Sequence, residues 1–296
     1  MAARRVLVTG GGGFIGGLLL ARLAQTGASV TSVGNRESTA IPNGMGQHRL
    51  DLADGPSRRS MLAEVRPDHV VHLAIAREPE SLERLLTVNG TVPRLLLEEA
   101  LEVGASGFLH VGSLTEYGCS AEVTEDSPLR PVSRHGATKA AGSLALLQAA
   151  AEGAPVTVAR CSYVYGPGEK PTRLIPTAAR AARDGTPLAL TTPGLVRDYV
   201  HVDDVVEGLV SMVTADLPPG SVANFASGEP TSNEEIVALV ERITGCPVDR
   251  RIGTVAPRPW DLRQLHVKRG PVVDQLGWRP RIPLDDGVAS YVGGLR

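Results

Sequence analysis

The chain has 296 residues, of which 42% are hydrophobic and 21% are charged, and its formal net charge is −2. That composition is ordinary for a folded globular protein with one large domain or two coupled ones, and the small net charge favours neither nucleic acid nor an anionic membrane as a partner. The apolar runs fall short of membrane-spanning length, the first predicted strand leaves no room for a signal peptide, and the 3 cysteines form no CxxC pair. We therefore expect a reduced, cytoplasmic protein without a metal site.

The first predicted elements are a strand at Val6–Val8, a run of glycines at Gly10–Gly13, and a helix with an apolar face from Phe14 onward. Glycines three residues apart let the backbone turn sharply and bring a pyrophosphate close to the N–H groups of a helix N-terminus. Strand, glycines and helix in this order make a dinucleotide-binding fingerprint, the alternative being an ordinary turn. The predicted contacts are Gly10, Gly13, Phe14, Ile15 and Gly16.

The second predicted strand, Ala28–Val33, leads into Gly34, Asn35 and Arg36. An enzyme that uses NAD usually carries an acidic residue about 20 residues after the glycines, where it binds the ribose 2′-hydroxyl. This chain has no acid there, and a guanidinium suits a 2′-phosphate. We therefore predict NADP(H) as the cofactor, with Asn35 and Arg36 at the phosphate; the alternative is a solvated loop arginine.

Strand and helix signals then alternate, with strands at Val70–Ala74 and Gly107–Val111 around a helical pattern at Val88–Val103. This alternation predicts an α/β fold with a Rossmann-like, doubly wound parallel sheet. The glycine spacing, the VVHLA segment at 70–74, the RDYVHVDD segment at 197–204 and the LGWRP segment at 276–280 occur in that order. Together they resemble the extended short-chain dehydrogenase/reductase family, whose members include the NAD-dependent epimerases and dehydratases.

The resemblance implies an NADP-binding domain over residues 1–167 and a smaller substrate-binding part over residues 168–296, with about residues 198–226 returning to the sheet. Ligands are then expected at the carboxyl ends of the strands, between the two parts. Members of the family often dimerise through helices that correspond to Val88–Val103 and His135–Ala151, and both are apolar enough here to allow a homodimer. The further cofactor contacts that the resemblance implies are Asp51, Leu52, Leu73, Ala74, Lys139 and Ser162.

The active site of that family combines a serine after the fifth strand with a Tyr-x-x-x-Lys motif on the next helix. The tyrosine gives a proton to the substrate oxygen, and the lysine binds the nicotinamide ribose. Ser113 fits the serine and Lys139 fits the lysine, but the residue four positions before Lys139 is His135. The resemblance thus implies Ser113, His135 and Lys139 as the catalytic residues. Tyr117 belongs to the serine motif and cannot replace the tyrosine by register.

The unperturbed pKa of histidine, about 6.5, makes His135 a plausible proton donor. Two effects oppose this role, because Lys139 and an oxidised nicotinamide are both cationic and because an imidazole is shorter than a phenol. His135 then orders a water, or the substrate supplies its own proton, as a phenol beside a ketone would.

Tyr163 stands where nucleotide-sugar members of the family have an asparagine that contacts the ligand. Arg197 and Arg258 resemble arginines that clamp a nucleotide-sugar diphosphate, although nearby acids such as Asp261 could instead hold them in structural ion pairs. The predicted substrate contacts are Ile75, Thr115, Glu116, Tyr163, Arg197, Arg258 and Trp260.

The sequence therefore favours an NADPH-dependent ketoreductase of a small molecule, with an aromatic polyketide of antibiotic biosynthesis as the leading substrate because Tyr163 and Trp260 could stack on its rings. One alternative is a nucleotide-sugar 4-ketoreductase or epimerase, which Arg197 and Arg258 favour. A second is a non-catalytic NADP-binding regulator, against which the retained Ser113 and Lys139 argue.

Overall fold

The computed structural model describes residues 3–35, 41–42, 44–258 and 261–294. Its strands are β1 (Arg5–Thr9), β2 (Ser29–Gly34), β3 (Gly46–Arg49), β4 (His69–His72), β5 (Gly107–Ser113), β6 (Glu122–Val123), β7 (Val156–Cys161), β8 (Tyr163–Tyr165), β9 (Leu188–Ala189), β10 (Val196–His201), β11 (Val222–Phe225), β12 (Pro230–Ser232), β13 (Arg250–Arg251) and β14 (His266–Val267). Its helices are α1 (Phe14–Gln25), α2 (Gly55–Val65), α3 (Leu82–Leu85), α4 (Val92–Glu102), α5 (Arg134–Ala151), α6 (Leu174–Asp184), α7 (Val202–Thr214), α8 (Asn233–Thr244), α9 (Pro271–Gln275) and α10 (Leu284–Gly293). A π-helical turn spans Leu86–Thr91 and a 3₁₀ turn spans Leu114–Tyr117.

Seven strands form one parallel sheet in the order β3-β2-β1-β4-β5-β7-β11. At its centre, Val6 of β1 pairs with Val30 of β2 on one side and with His69 of β4 on the other. The strand order reverses between β1 and β4, and a ligand crevice forms at such a switch point, outside the carboxyl ends of the strands. The doubly wound parallel sheet that the alternation of elements predicts is confirmed.

Helices cover both faces of this sheet because its central strands are apolar on both sides. Leu7 and Val8 of β1 are fully buried and point to opposite faces. Val8 packs in a cluster with α1 and α7, whereas Leu7 packs in a second cluster with α2, α4 and α5. Since each such side chain stabilises the fold by roughly 1.5–3 kcal/mol when buried, the two clusters hold the strand ends, and the residues that follow them, in place.

A smaller apolar cluster holds the C-terminal part together. It joins α6, α8 and α10, where Ile175, Val237 and Val288 are fully buried. The helix α8 begins with a reciprocal capping box between Ser232 and Glu235, which satisfies backbone N–H groups that a helix start would otherwise leave unpaired. Beside these helices, β10 pairs with β8 and β12 in a three-stranded sheet.

The chain crosses between the two parts more than once. After β10 it forms α7, which packs against α1, and then β11, which lies beside β7 at the edge of the seven-stranded sheet. Residues 202–225 thus lie on or in the large sheet, while residues 198–201 belong to the small one. The domain boundary at residue 167 stays a prediction.

The helices α4 and α5 lie side by side on one face of the sheet. Leu95 of α4 and Leu144 of α5 remain exposed there, on the surface that the family resemblance assigns to a dimer. The homodimer stays a prediction. Among the described residues, none of the helices combines the length and the apolar content that crossing a membrane requires.

Candidate active site

The loop between β1 and α1 fits a pyrophosphate because its backbone is packed too tightly for side chains. Gly10 has a φ of +72°, and a Cβ atom there would lie 2.8 Å from the backbone nitrogen of Ala74. A Cβ atom on Gly16 would lie 2.3 Å from the carbonyl oxygen of Gly10. Gly13 is the N-cap of α1 and has no side chain to cap its first turn, so the helix N-terminus presents N–H groups and a positive dipole end to an anion.

This loop borders a cleft of about 760 Å³ at the carboxyl ends of the central strands. The cleft brings together most of the residues that the sequence assigns to the cofactor and to catalysis. Those that line it are Gly10, Gly13, Phe14, Ile15, Gly16, Asn35, Asp51, Leu52, Leu73, Ala74, Ile75, Ser113, His135, Lys139 and Ser162. Arg36 and Trp260 lie outside the described residues.

Asp51 is held at the cleft by an arginine that sequence reasoning missed. Arg84 Nη2 donates to both carboxylate oxygens of Asp51, at 2.8 and 2.7 Å. This hydrogen bonding lowers the pKa of Asp51 below its usual value, so its carboxylate stays charged at neutral pH. The two residues are 33 positions apart, and no local pattern could have revealed their contact.

Ser113 ends β5 and caps the 3₁₀ turn. Its Oγ accepts hydrogen bonds from the Thr115 hydroxyl at 2.9 Å and from the Thr115 backbone N–H at 3.2 Å. Its own backbone N–H donates to Glu116 Oε1 at 2.8 Å. Because a hydroxyl has two acceptor lone pairs and both are used here, the Ser113 O–H proton is left for donation to a substrate oxygen.

Lys139 on α5 is only 4% exposed, and its Nζ donates to the carbonyl oxygen of Val111 at 2.5 Å. Burial lowers its pKa to about 8, while the charge of Glu116 acts to raise it and that of Arg77 to lower it. The ammonium group therefore remains charged near neutral pH. Since it has three N–H donors and one is used, two remain for the ribose hydroxyls that the family resemblance assigns to it.

His135 lies one helical turn before Lys139 and is half-buried in the wall of the cleft. Burial, together with the positive charges of Lys139, Arg77 and Arg173, lowers its pKa to about 4. The imidazole is therefore neutral at pH 7, and its remaining N–H can donate a hydrogen bond but is too weak an acid to protonate a substrate oxygen. Of the two effects that the sequence sets against His135 as a proton donor, the structure strengthens the electrostatic one, because it adds the charges of Arg77 and Arg173 to that of Lys139.

Glu116 does not reach the cleft, which corrects its assignment as a substrate contact. It is fully buried and forms an ion pair with Arg160, with 3.0 Å between Glu116 Oε2 and Arg160 Nε. Its other oxygen accepts the Ser113 N–H. Thr115 likewise bonds Ser113 and does not line the cleft, so both residues act on the position of the serine.

Tyr117 is held away from the cleft, as its register in the serine motif implies. It is fully buried, and its hydroxyl donates to Asn224 Oδ1 at 3.0 Å while accepting from Arg160 Nη1 at 2.7 Å. Burial raises its pKa. This phenol therefore cannot take the place of the missing tyrosine at position 135.

Arg197 and Arg258 meet at one carboxylate. Arg197 is buried and forms an ion pair with Asp261, and Arg258 Nε lies 3.6 Å from the same Asp261 oxygen. The Arg197 guanidinium also stacks over the ring of Tyr163, 5.1 Å from its centroid. Ser162 and Val164, the chain neighbours of Tyr163, line the cleft, whereas Tyr163, Arg197 and Arg258 do not, so the structure does not bring these three predicted substrate contacts to the cleft wall.

Further charged residues of the cleft wall escaped sequence reasoning, namely Arg77, Glu78, Glu80, Glu169, Lys170 and Arg173. Glu169 is 9% exposed, and its Oε1 has no hydrogen-bond partner among the described residues. Burial raises its pKa to about 7, against the opposing charge of Arg173. For Glu169 and Arg173, the only signal in the sequence was the high density of glycine and proline that begins at Gly166.

Residues 6–226 match the model of the NAD dependent epimerase/dehydratase family. The dTDP-glucose 4,6-dehydratase of Streptomyces griseus is 34% identical over 310 residues, which covers 97% of this chain and 92% of that protein. The dTDP-6-deoxy-L-talose 4-dehydrogenase (NAD(P)(+)) of Kitasatospora kifunensis is 30% identical, covering 97% of this chain and 94% of that protein. The solved structure of MoeE5 with UDP-glucose and NAD superposes with a TM-score of 0.89 at 28% identity, covering 99% of this chain and 98% of that one.

Proposed function

The chain belongs to the NAD dependent epimerase/dehydratase family, and from this premise we propose that it is a nicotinamide-dependent oxidoreductase acting on a nucleoside-diphosphate sugar, as a ketoreductase or an epimerase. The observation that carries the proposal is the convergence of the glycine loop, Ser113, His135 and Lys139 in one cleft. The relatives described above act on, or bind, nucleotide sugars, which supports this substrate class over an aromatic polyketide.

The proposed cofactor is NADP(H). Its support is Asn35, which lines the cleft where β2 ends, together with the absence of an acidic residue at positions 34–36. The pyrophosphate would lie on the glycine loop at the start of α1, and Lys139 would hold ribose hydroxyls. When bound, the nicotinamide supplies or accepts a hydride.

The proposed diphosphate clamp is the pair Arg197 and Arg258. Asp261 holds both guanidinium groups close to each other, and the planar fork of a guanidinium suits the oxygens of a diphosphate. The ion pairs with Asp261, which the sequence raises as a structural alternative, are thus compatible with ligand binding. Arg197 stacks on Tyr163, whose chain neighbour Ser162 lines the cleft, which supports a ligand that extends from the cleft toward the clamp.

At the reacting carbon, Ser113 would donate its hydroxyl proton to the substrate oxygen, and the charge of Lys139 would stabilise negative charge that develops on that oxygen. The buried ion pair of Glu116 with Arg160 leaves the segment 113–117 without a carboxyl group in the cleft. Elimination of water needs an acid and a base beside the sugar, so this arrangement favours reduction or epimerisation over dehydration.

A thermal-shift experiment tests the proposal. With NADP⁺ present, UDP-glucose or dTDP-glucose at saturating concentration should raise the melting temperature by about 5 °C or more, the stabilisation expected for a ligand well above its Kd. Arg258→Ala should reduce this shift, and Arg242→Ala, which removes an exposed arginine paired with Asp285, should not. A protein that responds to NADP⁺ but to no nucleotide sugar would contradict the proposal.

The low pKa of His135 favours a second candidate, a ketoreductase of aromatic polyketides comparable to the angucyclinone 7-ketoreductase of simocyclinone biosynthesis. There, a phenol beside the ketone would supply the proton that the neutral imidazole lacks. His135→Phe would then keep much of its activity, while a substrate analogue with that hydroxyl methylated would bind without reacting. Activity with the methylated analogue would exclude this candidate.

A further inference from the structure

Glu116 is a fully buried carboxylate that lies directly behind the floor of the cleft, which Gly112 and Ser113 form at the end of β5. A Cβ atom on Gly112 would lie 2.4 Å from Glu116 Oε1. The absence of a side chain at position 112 therefore makes the space that the carboxylate occupies. Glu116 is thus shielded from solvent while it packs against the backbone that the ligands would contact from the other side.

Both oxygens of this carboxylate have fixed partners. Oε1 accepts the backbone N–H of Ser113 at 2.8 Å, and Oε2 lies 3.0 Å from Nε of Arg160, whose side chain is itself buried. A buried ion pair seldom stabilises a fold more than apolar side chains of the same volume would. Stability alone therefore does not account for a charged residue at position 116.

The partners of Arg160 hold this arrangement rigid. Nη1 of Arg160 donates to the Tyr117 hydroxyl at 2.7 Å, and the guanidinium lies over the Tyr117 ring, 4.8 Å from its centroid. The same hydroxyl donates to Asn224 Oδ1 on β11 at 3.0 Å. Because the guanidinium is anchored to two further elements, the carboxylate of Glu116 has one orientation relative to Ser113.

Glu116 also acts on the charge of Lys139. Burial lowers the pKa of Lys139 to about 8, and the negative charge of Glu116 opposes that shift, whereas the positive charge of Arg77 adds to it. The Cys161 thiol beside Lys139 is uncharged in the physiological range, because burial raises its pKa to about 12. Three further groups that feel the charge of Lys139 have lowered pKa values and are neutral, namely His72, His110 and His135.

We propose that Glu116, which touches neither ligand, is a positioning residue for the reaction, because its one carboxylate both fixes the backbone of Ser113 and keeps Lys139 positively charged. The inference rests on the proposed function, in which Lys139 binds the ribose of the cofactor and Ser113 donates to the substrate oxygen. The two contributions can be separated by experiment, since the first depends on the position of an acceptor atom and the second on a charge.

Glu116→Gln keeps an oxygen that can accept the Ser113 N–H and removes the charge. Fluorescence titration with NADPH, which withstands alkaline solution, measures cofactor affinity across the range in which such a lysine titrates, from about pH 6.5 to 9.5. In the unaltered protein, affinity should fall as the pH rises through about 8, and Lys139→Met should abolish this alkaline limb. Glu116→Gln should move the limb to lower pH by about one unit.

Glu125→Gln is the matched control, because Glu125 is a half-buried acid of the same region that accepts the Asn224 N–H at 3.1 Å and does not line the cleft. It should leave the limb in place. The charges of the cofactor are the same in every variant and cancel in the comparison. Glu116→Asp keeps the charge and draws the carboxylate away from Ser113, so turnover of a 4-keto nucleotide sugar should fall about ten- to a hundredfold while the limb stays.

Glu116→Gln leaves Arg160 unpaired in the interior, which can prevent folding. Combining Glu116→Gln with Arg160→Gln removes both charges, and the double variant should show the same shift of the limb. An unmoved limb in a folded variant that lacks the Glu116 charge would overturn the inference and leave the proposed function standing, as would the absence of the limb from the unaltered protein. A protein that binds no NADPH would remove the proposed function and this inference with it.

Discussion

His135 occupies the position at which the family resemblance places a proton-donating tyrosine. A pKa of about 4 means that the free protein holds this imidazole neutral across the physiological range. Ser113 can still donate a hydrogen bond and Lys139 still supplies a positive charge. Neither residue by itself replaces a tyrosine that transfers protons. The identity of the substrate and the protonation of His135 are therefore linked questions.

A cofactor prediction also belongs to the scale of single residues. If Arg36 binds the 2′-phosphate, Arg36→Ala should weaken NADPH binding by roughly 1–3 kcal/mol, as for a lost charge-assisted contact, and leave NADH binding nearly unchanged. Fluorescence titration of both reduced cofactors measures this directly. Equal affinity of the unaltered protein for NADPH and NADH would refute the assignment.

The sequence predicted those site residues whose place is fixed by their neighbours in the chain. Gly10 and Gly16 follow a strand and open a helix, and Lys139 lies on a helix whose start is marked by Ser133. Arg77 and Arg173 could not be found in this way, because their place depends on how two loops fold over the strand ends. Glu116 was misplaced for a related reason: only the fold reveals that Arg160, 44 positions away, draws it into the interior.

Among the secondary-structure elements, the π-helical turn Leu86–Thr91 ties the wall of the cleft to α5. Asn89 in this turn accepts a hydrogen bond from the backbone N–H of Ala76 at 2.8 Å and donates to the carbonyl oxygen of Ala76 at 3.0 Å. It also donates to the Thr138 hydroxyl at 3.1 Å. One buried side chain thus fixes the residue before Arg77 to the residue before Lys139.

Asn89→Ala should therefore act on both stability and binding. We expect the free energy of unfolding to fall by roughly 1–3 kcal/mol, because buried groups of Ala76 and Thr138 lose their partner. NADP⁺ binding should weaken as well, since the wall and the helix are no longer held together. The matched control is Asn233→Ala. The Asn233 side chain donates to Thr191 Oγ1 at 3.2 Å, and Asn233 does not line the cleft. Similar losses in both variants by urea unfolding and cofactor titration would contradict this role of the turn.

Across the whole molecule, the seven-stranded sheet buries neutral histidines. His72 and His110 are fully buried on adjacent strands and stack with ring centroids 5.6 Å apart. Burial lowers the pKa of His72 to about 3 and that of His69 to about 4, and it holds the pKa of His110 well below its usual value. The apolar neighbours Val70 and Val71 carry His72 into the core.

Acid should therefore destabilise the fold in a defined window. Below about pH 6.5 the unfolded chain binds protons at these histidines while the folded chain does not, so the free energy of unfolding is greatest above that pH and falls as the pH decreases toward about 4. Each histidine should account for roughly 1–2 kcal/mol between about pH 6.5 and 5. Urea unfolding at several pH values measures the slope.

His110→Leu should flatten that slope, whereas His266→Gln, which changes an exposed histidine, should leave it as it is. The comparison uses the pH dependence and not the absolute stability, because the core substitution changes packing too. An identical slope in both variants would mean that other groups control the acid response.

We propose that the cleft transfers a hydride between a nicotinamide and a nucleotide sugar. The most direct test of this proposal is isotope transfer: the protein is incubated with NADPH that carries deuterium on the nicotinamide ring and with a 4-keto nucleotide sugar, and the sugar nucleotide is analysed by mass spectrometry. We expect a reduced sugar that has gained one deuterium on carbon, and no such product from a variant that combines Ser113→Ala and Lys139→Ala. An unlabelled sugar recovered from a folded protein that binds both ligands would contradict the proposal.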